Sequence, residues 1–197
     1  VHHRHAASAE DPNSARAGEG FYRFLLRAWS GSFRQGLRAE RELCSRSPGR
    51  RNPYAAYFAL AALSLMLAYA LAGLLGVVVW GGLALHAQVQ LMLSDYVQHY
   101  GLTRARRPDG RLEPVSARHS WNAPFWFSSA LMLNAPRHSD HHAHPARPYP
   151  ALRMPAAEEA PMLPWPLPLA CTIALFPPLW RRRIAPHLAR WRAGGDG

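Results

Sequence analysis

The sequence predicts an all-α, polytopic helical membrane protein: a partial bundle with a transmembrane helical hairpin and a cytoplasmic histidine-rich region. Three observations predict it. No Asp, Glu, Lys or Arg occurs from Tyr54 to Ser94. A spanning helix needs about 20 apolar residues, so this run is long enough for two. The basic residues, all of them arginine, flank the run on both sides, and histidines crowd the N-terminus and the stretch around His138–His142. The balance of 23 basic to 12 acidic residues gives a formal net charge of +11. These arginines form no domain of their own, so membrane lipid is the expected partner and nucleic acid is not. An apolar content of 49 % excludes a disordered basic tail.

Residues 1–53 read as a cytoplasmic histidine segment followed by an interfacial helix. Asp11-Pro12-Asn13-Ser14 supplies turn formers. Beyond them Phe21, Phe24, Leu25, Trp29, Phe33 and Leu37 recur at helical spacing opposite an arginine face, the pattern of a helix lying in the membrane interface. Ser47-Pro48-Gly49 and Asn52-Pro53 end it. Residues 54–99 read as two transmembrane helices turning at Gly73 and Gly76, with Gly81-Gly82 as an alternative close-packing point. Arginines at both ends of the run favour two crossings with both ends in the cytoplasm. His86, inside the second helix, is expected to make a polar contact to another helix. Residues 100–160 read as a cytoplasmic region carrying the densest chemistry, with a turn at Pro108-Asp109-Gly110 and a non-spanning apolar segment over 126–134. Residues 161–197 hold six prolines before residue 180, which argues against a spanning helix. They read as a cytoplasmic or interfacial segment ending in a basic tail. The chain opens within a dense motif, Val1-His2-His3-Arg4-His5, which suggests that a preceding part is absent.

The histidines carry the chemistry. His138, His141 and His142 stand at i, i+3 and i+4, one face of a helix, where three neutral imidazoles suit a first-row transition metal. Asp140 beside them is a candidate acceptor for a ligand's remaining N–H. A surface turn that happens to be histidine-rich is the plainer alternative. His2 and His3 form a second pair. His99 stands where the second membrane helix should reach the cytoplasm. No cysteine lies nearby and no H-E-x-x-H occurs, so neither a structural zinc site nor a zinc protease is supported. Histidines gathered at the cytoplasmic face of a helical membrane protein point to non-haem iron and oxygen.

In the order of its landmarks the chain resembles the alkane 1-monooxygenase family, within the membrane fatty-acid desaturase and hydroxylase superfamily. The landmarks are His2-His3 with Glu10-Asp11-Pro12-Asn13-Ser14-Ala15-Arg16, then Phe21-Tyr22-Arg23-Phe24, then Tyr96-Val97-Gln98-His99-Tyr100-Gly101-Leu102. His119-Ser120-Trp121-Asn122, Pro136-Arg137-His138-Ser139-Asp140-His141-His142 and Pro178-Leu179-Trp180-Arg181 follow. The resemblance implies an inner-membrane, multi-pass enzyme that hydroxylates the terminal carbon of an alkane with O2. It implies two non-haem iron ions and electrons from rubredoxin. The implied ligands are His2, His3, His99, His138, His141 and His142, with no iron bond assigned to His119. Gln98 stands where the family has Glu and Asp95 where it has Asn, so Asp95, Gln98 and Asp140 are the candidates for supporting the ligands. The family's first histidine box has no counterpart after Val1, and the chain as given is expected not to hold both irons in working geometry. Rival readings are an aryl-methyl monooxygenase or fatty-acid desaturase of the same superfamily, and a non-catalytic membrane protein with a residual metal-binding cluster.

Overall fold

The computed structural model of the protein describes residues 2–194. Its helices are α1 (His2–His5), α2 (Phe21–Arg46), α3 (Pro53–His99), α4 (Trp126–Leu131), α5 (His138–Ala143), α6 (Leu167–Ala174) and α7 (Pro177–Ala193), with 3-10 turns at Ala117–His119 and Tyr149–Ala151. Extended backbone pairs among the described residues only as isolated bridges, Arg106 with Leu112 and Asn122 with Met162. Two compact units result. One combines residues 2–29 with 92–194; the other comprises 30–91.

In the first unit the core is aromatic. Tyr96 is fully buried and packs its ring against Phe21 and Phe24, with centroids 5.5 and 5.2 Å away. Tyr100 and Trp180 continue the stack. The Tyr96 hydroxyl donates to the Glu19 carbonyl at 2.6 Å, and the Gly18 N–H donates to the Tyr100 hydroxyl at 2.9 Å. Large rings bury much apolar area while their polar tips find partners, so the last turns of α3 are fixed from several sides. Residues 7–15 are laced on by backbone bonds: Gly101 N–H to the Ala15 carbonyl and Arg104 N–H to the Ala7 carbonyl. Gly101 adopts φ +71°, a conformation that strains other residues, and lies against the Leu188 side chain.

The C-terminal segment differs from a basic tail. Trp180, Ile184 and Leu188, spaced by four, are the buried stripe of α7. The arginines between them take the solvated face. Pro177 and Pro178 occupy the first turn of α7, and Pro168 that of α6, where the missing N–H costs nothing. Prolines that break a long helix thus begin two short ones.

In the second unit, α2 continues to Arg46 and the chain turns at Gly49 (φ +87°) into α3. Phe33 and Tyr54 pack edge to face at 5.5 Å. The long apolar helix is broken at Ala72 (φ −145°, ψ 20°) and Gly73 (φ 60°, ψ −147°). Ser64 and Trp80 would be about 24 Å apart on a continuous helix, yet the Trp80 indole N–H donates to Ser64 Oγ at 3.1 Å. Gly76 lies against the Ala68 carbonyl so closely that a methyl group would overlap it. The two arms therefore fold back on each other about Gly73, at the turn the glycines predict. Leu60, Leu63, Leu67, Leu71, Leu74 and Val78 stay exposed along them, and α3 is long and apolar enough to cross a membrane. His86 does not make the expected polar contact: its ring is exposed and without a hydrogen-bond partner among the described residues. Gly81 and Gly82 likewise have open space at their Cα atoms instead of a packed neighbour.

Candidate metal centre

Three segments deliver four imidazoles to one place in the first unit. The end of α3 brings His99, α1 brings His2, and α5 brings His138 and His142. The metal-binding nitrogens of these four residues lie within 4.8 Å of one another. His99 Nε2 is 3.0 Å from His138 Nε2 and 3.2 Å from His142 Nε2, and the latter two are 3.0 Å apart. His2 joins through ring contacts of 4.9 Å with both His99 and His142.

Local structure sets each ring. α5 begins where Asn122 Oδ1 accepts both the Ser139 N–H (3.1 Å) and the Ser139 hydroxyl (3.0 Å). That single side chain does the work of an N-terminal cap from another segment. Its i, i+4 pair, His138 and His142, then faces His99. The His99 Nδ1–H donates to the His119 carbonyl at 3.2 Å. A carbonyl only accepts, so the proton sits on Nδ1 and the Nε2 lone pair points into the cluster. The His119 ring faces away from it, with Nε2 on Glu113 at 3.0 Å and Nδ1 accepting the Ser116 N–H.

His2 is set the same way by a carboxylate that the sequence reading did not assign. Its Nδ1–H donates to Asp11 Oδ2 at 2.8 Å. Asp11 is 1 % exposed and also accepts the Ser14 hydroxyl (2.6 Å) and the Asn13 N–H (3.1 Å). Burial alone would raise the Asp11 pKa, but these donors hold it below the usual carboxylate range. Burial would lower His2; the Asp11 bond outweighs that and raises it. A carboxylate on Nδ1 also makes Nε2 a better electron-pair donor. His2 Nε2 is buried and has no hydrogen-bond partner.

The predicted supporting residues fall elsewhere. Asp140 does not touch a cluster imidazole: its oxygens accept from Arg147 Nη1 (2.5 and 2.6 Å), His144 Nδ1 (3.0 Å) and the Arg153 N–H (2.8 Å). The reason is rotation. Asp140 is two residues from both His138 and His142, about 200° round a helix, so it faces outward and anchors α5. Asp95 is 8 % exposed and accepts from Asn13 Nδ2 at 2.7 Å, which places it behind the Asp11 turn. Gln98 accepts the Ser94 hydroxyl and donates to the Ala135 carbonyl at 3.0 Å, tying α3 to the approach to α5. His3 and His141 stand beside the four, 4.7 Å apart by ring centroids, with His3 also 4.7 Å from His142. All six predicted imidazoles are thus contiguous.

The donor set fits a first-row metal. Two nitrogens bound to one such ion at about 2.1 Å, at angles between 90° and tetrahedral, lie about 3.0–3.4 Å apart. The three Nε2 separations match that edge length. Burial, reinforced by the neighbouring rings, lowers the pKa of His138 and of His142. Burial also lowers His3 and His141. These rings are neutral at pH 7, with lone pairs available.

Residues 1–187 match the fatty acid desaturase family. The chain belongs to that family. Among its curated relatives, alkane 1-monooxygenase 2 of Pseudomonas aeruginosa is 37 % identical over 99 % of this chain and 52 % of its own length. Alkane 1-monooxygenase 2 of Alcanivorax borkumensis is 32 % identical over 98 % of the chain and 51 % of its own. The xylene/toluene monooxygenase hydroxylase component of Pseudomonas putida is 28 % identical over 97 % and 51 %. The chain spans about half the length of these relatives. In a member of this family, a four-histidine cluster with two buried members and an unpartnered His2 Nε2 has the donor chemistry to hold a metal.

Proposed function

We propose that this chain carries the iron-binding part of an O2-dependent alkane hydroxylase. The observation that carries the reading is the convergence of His2, His99, His138 and His142, with the ring protons of His2 and His99 turned outward onto Asp11 and the His119 carbonyl. Similarity to proteins named alkane 1-monooxygenases supports the reaction class. His3 and His141 bring the set to six imidazoles directed at a non-haem iron centre. Iron, when bound, supplies the oxygen activation.

The chain's own contribution is position and protonation state. Asp11 and the His119 carbonyl keep hydrogen off the two Nε2 atoms that face the metal. Asn122 holds the start of α5 through Ser139, and Asp140 ties the helix to His144, Arg147 and Arg153 beyond it, which restrains His138 and His142. An alkane has no polar handle, and its binding rests on apolar burial of about 0.8 kcal/mol per CH2. The hairpin of α3 crosses the inner membrane twice, with the histidines at the cytoplasmic face. Exposed Trp126, Phe127, Leu131 and Leu133 support a membrane surface beside the cluster's own unit. Rubredoxin is the electron donor in this reading.

Cells carrying the complete gene, with a rubredoxin and its reductase, are fed octane, xylene or acyl chains. Terminal alcohol from octane supports the proposal, and exclusive desaturation of acyl chains overturns it. The similarity to a xylene/toluene monooxygenase component favours one second reading, oxidation of an aryl methyl group. Preferential conversion of xylene would select it.

A further inference from the structure

A second polar feature lies in the same unit, apart from the histidine nitrogens. A cleft of about 550 Å³ is lined by Arg104, Arg118 and Arg192 together with Glu113, Ser116 and His119. Arg104 is only 8 % exposed. Its Nη2 donates to the Arg4 carbonyl at 2.9 Å, while its Nε is buried with no hydrogen-bond partner. No carboxylate among the described residues pairs with it. Glu113, the acidic group of the cleft, is committed to the Ala105 N–H and to His119 Nε2. A desolvated guanidinium without a counter-ion is costly, and an anion that reaches it with good geometry offsets that cost.

The mouth of the cleft is built to hold such an anion. Arg118 stacks over Trp191 at 5.0 Å, which keeps its planar fork extended. Arg192 is anchored by its Nη2 on the Gly101 carbonyl at 2.7 Å. Neither Arg104 nor Arg192 pairs with a carboxylate among the described residues, so the cleft carries positive charge. Guanidinium forks match the paired oxygens of a phosphate group better than a spherical halide.

We propose that this cleft binds a phosphate-bearing anion, with Arg104 as the buried charge and Arg118 and Arg192 closing on it from the mouth. A free phosphate or phosphate ester and the phosphodiester of an anionic lipid share this chemistry. The volume accommodates either. The site is separate from the metal proposal and stands without it.

The test uses the full chain, purified in an uncharged detergent and freed of lipid. Inorganic phosphate is titrated calorimetrically at constant ionic strength, with chloride as the reference anion. In a second arm the chain is placed in phosphatidylcholine nanodiscs with and without phosphatidylglycerol, and retained lipid is measured by native mass spectrometry. Saturable binding is expected in at least one arm, and which arm responds identifies the source. Arg118→Gln and Arg192→Gln, both at exposed positions, should each weaken it at least tenfold. Arg104→Gln should abolish it. Arg111→Gln, outside the cleft, should leave it unchanged. The proposal is overturned if neither arm shows saturation, if chloride competes equally at matched ionic strength, or if the two mouth variants bind like the parent. Because the mouth variants do not disturb the Arg104–Arg4 bond, misfolding of Arg104→Gln does not rescue the idea.

Discussion

Replacing Asp11 by Asn isolates one carboxylate and keeps its shape. Asp11 Oδ2 accepts from both His2 Nδ1 and the Ser14 hydroxyl, and Oδ1 accepts the Asn13 N–H. Three donors converge on two oxygens at a site only 1 % exposed. An amide has one oxygen. If it keeps that oxygen toward His2 and Ser14, its NH2 meets the Asn13 N–H, donor against donor. If it flips, the NH2 meets His2 Nδ1 and drives the imidazole proton onto Nε2, the nitrogen that faces the cluster. The first outcome leaves a buried donor unpaired, about 1–3 kcal/mol of stability. The second competes directly with metal. Loss of a carboxylate behind a ligand typically weakens metal binding about 10–100-fold, or about 1.4–2.7 kcal/mol. The assay is Co(II) or Fe(II) titration of the purified full chain against a chelator of known affinity, with thermal melting alongside. Asp109→Asn, in an exposed turn, is the reference and should bind as the parent does. An Asp11→Asn protein that melts normally and binds metal within threefold of the parent would refute the assignment of Asp11 as the group that orients His2.

Other perturbations test the scaffold. Asn122→Ala removes both contacts that start α5 and should cost about 0.5–2 kcal/mol; hydrogen exchange at residues 139–143 should quicken, while unchanged protection would contradict the capping role. Gly76→Ala forces a methyl into the Ala68 carbonyl and should destabilise the hairpin by about 1–3 kcal/mol. A Ser64→Cys, Trp80→Cys pair should then cross-link less, whereas Gly81→Ala, with open space at that position, should cross-link like the parent. Glu19 is clamped by Arg27 at 2.6 and 2.8 Å. Burial would raise its pKa, but the Arg27 bonds and the Arg16 N–H hold it below the ordinary value. An unfolded Glu titrates near about 4.3, so the clamp's contribution is complete above that pH and is lost as pH falls through the lower folded value. Melting temperature should therefore drop more steeply below about pH 4.3 in the parent than in Glu19→Gln. Parallel pH curves would contradict this.

Much of this arrangement is legible in the residue order, and the unread parts have physical causes. The i, i+3, i+4 spacing of His138, His141 and His142 encodes a helical face directly. The charge-free run from Tyr54 to Ser94 and Gly73 encode the hairpin, because only glycine takes φ +60° there without strain. Asp11 leaves no such trace. It reaches His2 through a turn, and no periodicity links a turn residue to a helix nine positions earlier. Asp140 misleads for the opposite reason: adjacency in sequence suggests contact, but two residues on a helix is the far face. In α7 the four-residue spacing of Trp180, Ile184 and Leu188 is present in the sequence but overlaid by arginines and introduced by a proline pair, so composition suggests a tail where packing makes a core helix. His86 shows that a polar residue on an apolar arm need not find its partner within the same hairpin.

Four imidazoles from three helices are assigned here to one metal. Anomalous diffraction at the iron edge from iron-loaded full chain tests that assignment most directly. An iron peak within bonding reach of the side-chain nitrogens of His2, His99, His138 and His142 together is the expected result. Iron density elsewhere on the chain, or bound by only one of these helices, would contradict it.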